Sequence, residues 1–113
     1  MIQVFHNARC SKSRECLAFL NETEIEYEIV KYLETPPTVE ELKILIKKLG
    51  IKSITLVRQK EPLWIEKFKD KNLTNSAIIR AMAKYPLLIE RPIVINGDKA
   101  VIARPIENAR III

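Results

Sequence analysis

A single cysteine near the amino terminus, Cys10, is the side chain with the clearest capacity for chemistry. It follows the apolar segment Ile2 to Phe5 and stands at the start of a predicted helix. The first turn of a helix presents free backbone N–H groups and the positive end of the macrodipole, and both favour a thiolate over a thiol. The neighbouring cations Arg9, Lys12 and Arg14 should act in the same direction. The sequence therefore predicts a nucleophilic thiol at Cys10.

Activating this thiol requires more than a helix terminus. A cysteine with a pKa of about 8.5 is only about 3% thiolate at neutral pH, and lowering the pKa by about 2 raises that fraction to roughly 75%. Such a change corresponds to about 2.7 kcal/mol, whereas an exposed helix terminus supplies roughly 0.3 to 1 kcal/mol. Nearby cations or an imidazolium must provide the rest. The only histidine, His6, could tune Cys10 or could simply be satisfied by backbone groups at a strand end.

The second cysteine, Cys16, is not expected to pair with the first. On a helix it would lie about 9 Å further along and about 120° round from Cys10, whereas disulfide geometry requires Cα atoms within about 7 Å. We expect Cys16 to be a small buried hydrophobe beside Leu17 and Leu20. Ser13 occupies the place of the resolving thiol in a C-x-x-C motif, so the site should be monothiol. One histidine and two separated cysteines do not form a zinc site, and no metal is expected.

Size and charge restrict the function classes. The chain has 113 residues, which is long enough to bury roughly 65% of its unfolded surface as one domain. Its formal charge is +5. Residues 1–57 carry 8 basic and 8 acidic side chains, whereas residues 58–113 carry 11 and 6. The bases are scattered singly, which favours a small anionic substrate over nucleic acid. No leader or apolar span is visible, so we expect a cytoplasmic monomer without membrane contact.

The elements that must position Cys10 follow from periodicity. Residues 2–5 should form a buried strand, residues 11–21 a helix, and residues 25–29 a half-buried strand with alternating side chains. This is a βαβ unit with parallel strands. Near the other end, residues 93–95 and 100–103 flank Asn96-Gly97 and should form a hairpin, with a short closing helix that has Pro105 at its first position.

The middle of the chain should be helical. Thr38 and Glu41 form a capping box for a helix to Leu49, with Gly50 just past its end. Its inner face should consist of Val39, Leu42, Ile46 and Leu49. A second helix should span residues 75–85, capped by Thr74 and stopped by Pro86. The layout is that of an α/β thioredoxin-like fold. It has a mixed four-stranded sheet and an enlarged helical insert, approximately residues 38–86, between the βαβ half and the hairpin.

Several motifs in this order resemble the glutaredoxin-coupled arsenate reductases of the ArsC family. The matching segments are His6-Asn7 to Cys10, residues 32–37, residues 56–58, residues 90–94 and the pair Arg104-Pro105. The resemblance implies that Cys10 attacks arsenate and that three arginines hold the oxyanion: Arg58, Arg91 and Arg104. It also implies supporting positions at His6, Asn7, Ser13 and Pro92, with a cis Arg91–Pro92 bond facing the cysteine.

The reaction implied by this resemblance is thiol-dependent reduction of arsenate to arsenite. Glutathione would be a co-substrate, glutaredoxin the protein partner that resolves the Cys10–glutathione disulfide, and no cofactor would be bound. Two alternatives share these features: a redox regulator similar to the Spx proteins, which bind RNA polymerase, and a glutathione-dependent oxidoreductase of another substrate. The phosphatase-like arsenate reductases need Cys-x5-Arg, and Cys16 stands where that arginine would be.

Overall fold

The computed structural model describes residues 1–113, which divide into two compact units. One unit comprises Met1–Thr35 and Arg91–Ile113, and the other comprises Pro36–Glu90. The second unit contains the helices that the sequence predicts for the insert. No helix of the structure combines the length and apolar character needed to span a bilayer.

The first unit is built on a four-stranded mixed sheet, as predicted. Its elements are β1 (Ile2–Phe5), α1 (Ser11–Glu22), β2 (Tyr27–Val30), β3 (Ile93–Asn96), β4 (Lys99–Ile102) and a final 3₁₀ helix (Ile106–Ile111). The strand order is β2-β1-β3-β4, with β1 parallel to β2 and antiparallel to β3, and β3 antiparallel to β4. The sheet and α1 therefore reproduce the expected βαβ half and hairpin.

The core of the first unit lies between α1, the sheet and the last 3₁₀ helix. Buried side chains from all of these elements form it: Ile2, Val4, Cys16, Leu20, Val94, Ala103 and Ala109. The burial predicted for Cys16 is confirmed. Ile29 was expected to be half buried but is 43% exposed, because β2 is an edge strand with a sheet neighbour on one side only.

The hairpin forms with a turn one residue later than predicted. Asn96 pairs with Lys99, so the two turn residues are Gly97 and Asp98 rather than Asn96 and Gly97. Gly97 has φ 63°, a conformation that glycine adopts without steric cost. The closing helix is 3₁₀, and Pro105 caps it instead of occupying its first turn.

The second unit is helical. It contains α2 (Val39–Leu49), α3 (Pro62–Lys67) and α4 (Asn75–Lys84), with 3₁₀ turns at Ser53–Leu56 and Pro86–Leu88. α3 lies between the two predicted helices, in a segment for which no element was predicted. Both predicted caps are confirmed: the Thr38 and Glu41 side chains cap each other's backbone N–H groups, and the Thr74 hydroxyl accepts from Ala77 N.

The inner face of α2 differs from the prediction, which included Leu42 but not Leu45. Leu42 and Leu45 are its buried residues, whereas Val39, Ile46 and Leu49 are only partly buried. The predicted stripe left out Leu45, although Leu42 and Leu45 are three residues apart and so lie on one face of a helix.

Candidate active site

One edge of the sheet brings three of the predicted site residues together in the first unit. In the strand register, Phe5 pairs with Ile93, and Ile93 pairs with Ile102. The end of β1, the start of β3 and the end of β4 therefore share an edge. Cys10 follows β1, Arg91 precedes β3 and Arg104 follows β4. Cys10 and Arg91, which are far apart in sequence, thus come together at one edge because of antiparallel pairing.

The loop that carries Cys10 is organised by Asn7. The Asn7 carbonyl accepts a hydrogen bond from Cys10 N at 3.0 Å, and its side-chain oxygen accepts one from Arg9 N at 3.0 Å. Asn7 N in turn donates to Ser13 Oγ at 3.4 Å, a long contact with a hydroxyl that is fully buried in α1. Asn7 therefore fixes both ends of the turn from which α1 begins.

Cys10 is the N-cap residue of α1, with extended backbone angles, and its side chain is buried. Burial alone would raise the pKa of the Cys10 thiol. The backbone N–H of Ser13, the charge of Arg91, the backbone N–H of Lys12 and a hydrogen bond from the Arg91 side chain together outweigh burial and lower the pKa below its ordinary value. These groups favour the ionised form of the thiol because they donate hydrogen bonds or positive charge to it.

The cation that lowers the pKa of Cys10 is Arg91, which is distant in sequence. The sequence-adjacent cations were expected to play this part, and they are engaged otherwise. The Arg14 guanidinium donates to the Ala8 carbonyl at 2.9 Å and so supports the loop, and Lys12 lies 3.6 Å from Glu15. The sequence could not reveal this because loop geometry decides which cation faces the sulfur.

Arg91 is joined to Pro92 by a cis peptide bond, as predicted. Pro92 is buried at the start of β3, and its carbonyl accepts a hydrogen bond from Ala103 N at 2.9 Å. The Arg104–Pro105 bond is also cis, which the sequence did not predict.

Arg104 is exposed and follows the last bonded pair of the hairpin. The hydrogen bond from Ala103 N to the Pro92 carbonyl extends the pairing of β3 with β4 by one residue beyond Ile93 and Ile102. The ladder ends there, because Arg104 N donates to the Ile102 carbonyl at 2.9 Å. Arg91 and Arg104 therefore flank the last bonded pair of the hairpin, at the end of the sheet from which the Cys10 loop leaves.

Arg58 belongs to the second unit. Its backbone N donates to the Leu88 carbonyl at 2.8 Å, next to the isolated bridge between Val57 and Ile89. Its guanidinium lies 3.2 Å from the Glu61 carboxylate, and both side chains are mostly buried. The structure thus gives Arg58 a fixed position within its own unit, and its part in an oxyanion site stays a prediction.

The surroundings of His6 favour its neutral imidazole over the charged form. Burial and, secondarily, the positive charge of Arg14 lower its pKa below the ordinary value. Its backbone N donates to the Val30 carbonyl at 3.1 Å, but Nδ1 is buried without a hydrogen-bond partner. The backbone therefore makes no hydrogen bond to Nδ1 of the imidazole. The lowered pKa of His6 also disfavours the imidazolium that the sequence left open as a way of stabilising the thiolate.

The two cysteines are free and chemically distinct. Cys16 is fully buried in the apolar core, and burial raises its pKa to about 11. Cys10 has a lowered pKa instead. The first unit therefore offers one thiol whose surroundings favour ionisation and one whose burial opposes it.

This contrast predicts selective alkylation. In the folded protein, iodoacetamide should modify Cys10 increasingly as the pH rises through its lowered pKa, while Cys16 stays unmodified below about pH 10 because only the thiolate reacts. Peptide mass spectrometry after short exposures across a pH series measures both sites. Modification of Cys16 at the same pH as Cys10 would contradict the assigned environments, and unfolding in denaturant should make the two equally reactive.

The fold and this thiol centre define a thioredoxin-like protein with a lone activated cysteine. The sequence matches the profile of the ArsC family over residues 5–112. It is 50% identical over 109 residues to the arsenate reductase of Neisseria meningitidis serogroup A, covering 95% of this chain and 93% of that protein. YfgD of Escherichia coli K12 is 48% identical over 109 residues, with 95% and 92% coverage.

A solved structure gives the same result in three dimensions. The arsenate reductase from Vibrio cholerae superposes with a TM-score of 0.94 at 44% identity, covering 99% of this chain and 97% of that one. The chain therefore belongs to the ArsC family, as its motifs indicated.

Proposed function

We propose that this protein is an arsenate reductase in which the Cys10 thiolate attacks arsenate and glutathione and glutaredoxin supply the electrons. The observation that carries the proposal is the contact of Arg91 with a Cys10 thiol of lowered pKa in a chain of the ArsC family. The same guanidinium can serve the thiolate before reaction and the oxyanion during it. Relatives named arsenate reductase support the choice of substrate.

In the first step, the Cys10 thiolate attacks arsenic and forms an S–As bond. One oxygen of arsenate takes up protons and leaves as water. Negative charge crowds at arsenic as the bond forms, so fixed positive groups stabilise this step most. Arg91 and Arg104 flank the last bonded pair of the hairpin, and we assign them this role together with Arg58 as the third oxyanion ligand.

In the second step, the thiolate of glutathione attacks the Cys10 sulfur. An S–S bond forms and the S–As bond breaks with its electron pair remaining on arsenic, which passes from the +5 to the +3 state. Arsenite then leaves, and Cys10 and glutathione are left as a mixed disulfide. Glutaredoxin attacks the glutathione sulfur and releases the Cys10 thiolate. An external thiol is needed because Ser13 replaces a resolving cysteine and Cys16 is buried in the core.

The supporting residues have distinct proposed parts. Asn7 positions the loop, Ser13 supplies a backbone N–H to the thiolate, Pro92 sets the start of β3 beside Arg91, and His6 acts as a neutral imidazole. The protein would work as a cytoplasmic monomer with no bound cofactor.

The proposal predicts turnover in a coupled assay. Purified protein, arsenate, glutathione, glutaredoxin, glutathione reductase and NADPH should together oxidise NADPH in proportion to the protein added, and leaving out arsenate should stop the reaction. Omitting glutaredoxin should reduce the rate strongly, and replacing it and glutathione with thioredoxin and thioredoxin reductase should not restore it. Equal turnover with thioredoxin would overturn the electron donor, and absence of arsenate-dependent turnover with either donor would overturn the activity.

A further inference from the structure

The second unit contains a cavity that has no part in the proposed reaction. It has a volume of about 650 Å³ and is lined by residues at the end of α3, the segment that follows α3, and one face of α4. Sites for small molecules in proteins commonly measure about 300–1,000 Å³. The cavity is thus large enough to hold a small organic molecule.

The lining of this cavity is strongly basic. Four cations line it, namely Lys67, Lys71, Arg80 and Lys84, against the single carboxylate of Glu66. None of the four cations forms a salt bridge within the chain. Clustered charges of one sign on a concave surface concentrate the field and raise the local concentration of counter-ions. The charge therefore favours an anionic ligand.

The cavity also has aromatic walls. Phe68 and Tyr85 line it with ring centroids 6.1 Å apart, and Phe68 stacks on the buried Trp64 at 5.3 Å. The ammonium groups of Lys67 and Lys84 lie 5.9 and 5.4 Å from the centroid of the Tyr85 ring. Ring and cation–π contacts hold two of the charges beside an apolar wall. A ligand that fills the cavity thus meets both a flat apolar surface and positive charge.

We propose that this cavity binds an organic anion that carries an aromatic ring and a phosphate or carboxylate group. The ring packs against Phe68 and Tyr85, where aromatic pairs are stabilised beyond simple burial. The anionic group pairs with Lys84, Arg80 and Lys67. This site is separate from the thiol chemistry of Cys10, so it stands or falls independently of the arsenate reductase proposal.

Binding is tested by isothermal titration of the full-length protein with phenyl phosphate, AMP and benzoate. Phenol and adenosine serve as rings without the charge, and inorganic phosphate as charge without a ring. At least one aromatic anion should bind at least about tenfold more tightly than its uncharged counterpart, and should do so more weakly in high salt. Its binding should also change the fluorescence of Trp64, the only tryptophan, which stacks on Phe68. Inorganic phosphate, which the proposed oxyanion site could also take, should leave that fluorescence unchanged. No binding by any of the three anions would overturn the proposal, as would an equal fluorescence change with inorganic phosphate.

Matched substitutions locate the site. Lys84→Gln and Arg80→Gln should each weaken binding of the aromatic anion about tenfold, because each removes one charge from the cavity lining. Lys47→Gln is the control, since Lys47 also lies in the last turn of a helix of this unit but outside the cavity. Circular dichroism verifies that each variant is folded. A control variant that weakens binding as much as Lys84→Gln would show that the charge of the whole unit, and not this cavity, attracts the ligand.

Discussion

Replacing Cys10 with serine is expected to abolish arsenate reduction, with a loss of at least about 10³-fold in the coupled assay. A serine hydroxyl is not ionised near neutral pH and cannot form the S–S bond through which arsenic receives its electrons. Both the nucleophilic step and the redox step therefore fail together. The measurement is arsenate-dependent NADPH oxidation by the wild-type and variant proteins at equal concentration.

The matched control is Cys16→Ala, which removes the other thiol. Because Cys16 is fully buried and its pKa is raised to about 11, this variant should keep its turnover and lose only stability. Quenching the wild-type reaction in acid should trap a glutathione disulfide on the peptide that contains Cys10, and this adduct should be absent from Cys10→Ser. Retained turnover in Cys10→Ser would overturn the assigned nucleophile.

The second large effect is expected at Arg91, where Arg91→Gln should lower kcat/KM for arsenate by about 10²- to 10³-fold. Two causes contribute. The charge and the hydrogen bond of Arg91 lower the pKa of Cys10, so the pKa rises when they are removed and less thiolate is present at neutral pH. The guanidinium is also a proposed ligand of the oxyanion, and Arg91→Lys should restore only part of the rate because lysine cannot form a bidentate contact.

A pH profile separates the two causes. The pH at which Cys10 becomes reactive to iodoacetamide should move upward in Arg91→Gln. At a pH above the Cys10 pKa of both proteins, the thiolate fractions become equal, and the deficit in kcat/KM that persists measures the lost oxyanion binding. Arg9→Gln is the control, since Arg9 is adjacent to Cys10 in sequence but exposed. An equal upward shift in the pH of Cys10 reactivity for Arg9→Gln would contradict the assignment of the pKa-lowering charge to Arg91.

Local sequence patterns predict the structural elements that depend on short-range interactions. The caps at Thr38 and Thr74 and the left-handed residue Gly50 depend on neighbours within a few residues and are as predicted. The hairpin also forms where it was predicted, with strand bounds that differ by one residue. The hairpin turn was displaced by one residue because strand pairing, a tertiary property, fixes which residues remain unpaired.

The residues that surround Cys10 in the site could be identified only from the tertiary structure. Arg91 was named through a family motif and not from periodicity, since nothing local distinguishes it among the 19 basic residues. Arg14, which is nearer to Cys10 in sequence, instead hydrogen-bonds the Ala8 carbonyl. The charge state of His6 depends on its burial and on Arg14, and neither could be read from a lone histidine at a strand end.

The sequence by itself placed Cys10 at a helix N-terminus, where backbone groups one turn away favour a thiolate, and so predicted it as the nucleophile. It also predicted that Cys10 acts without a second thiol, since helical spacing keeps Cys16 out of reach. The tertiary structure decided which cation faces the sulfur and which thiol stays inert. Those outcomes depend on strand register and burial, which bring Arg91 to Cys10 across the sheet edge and enclose Cys16 in the core.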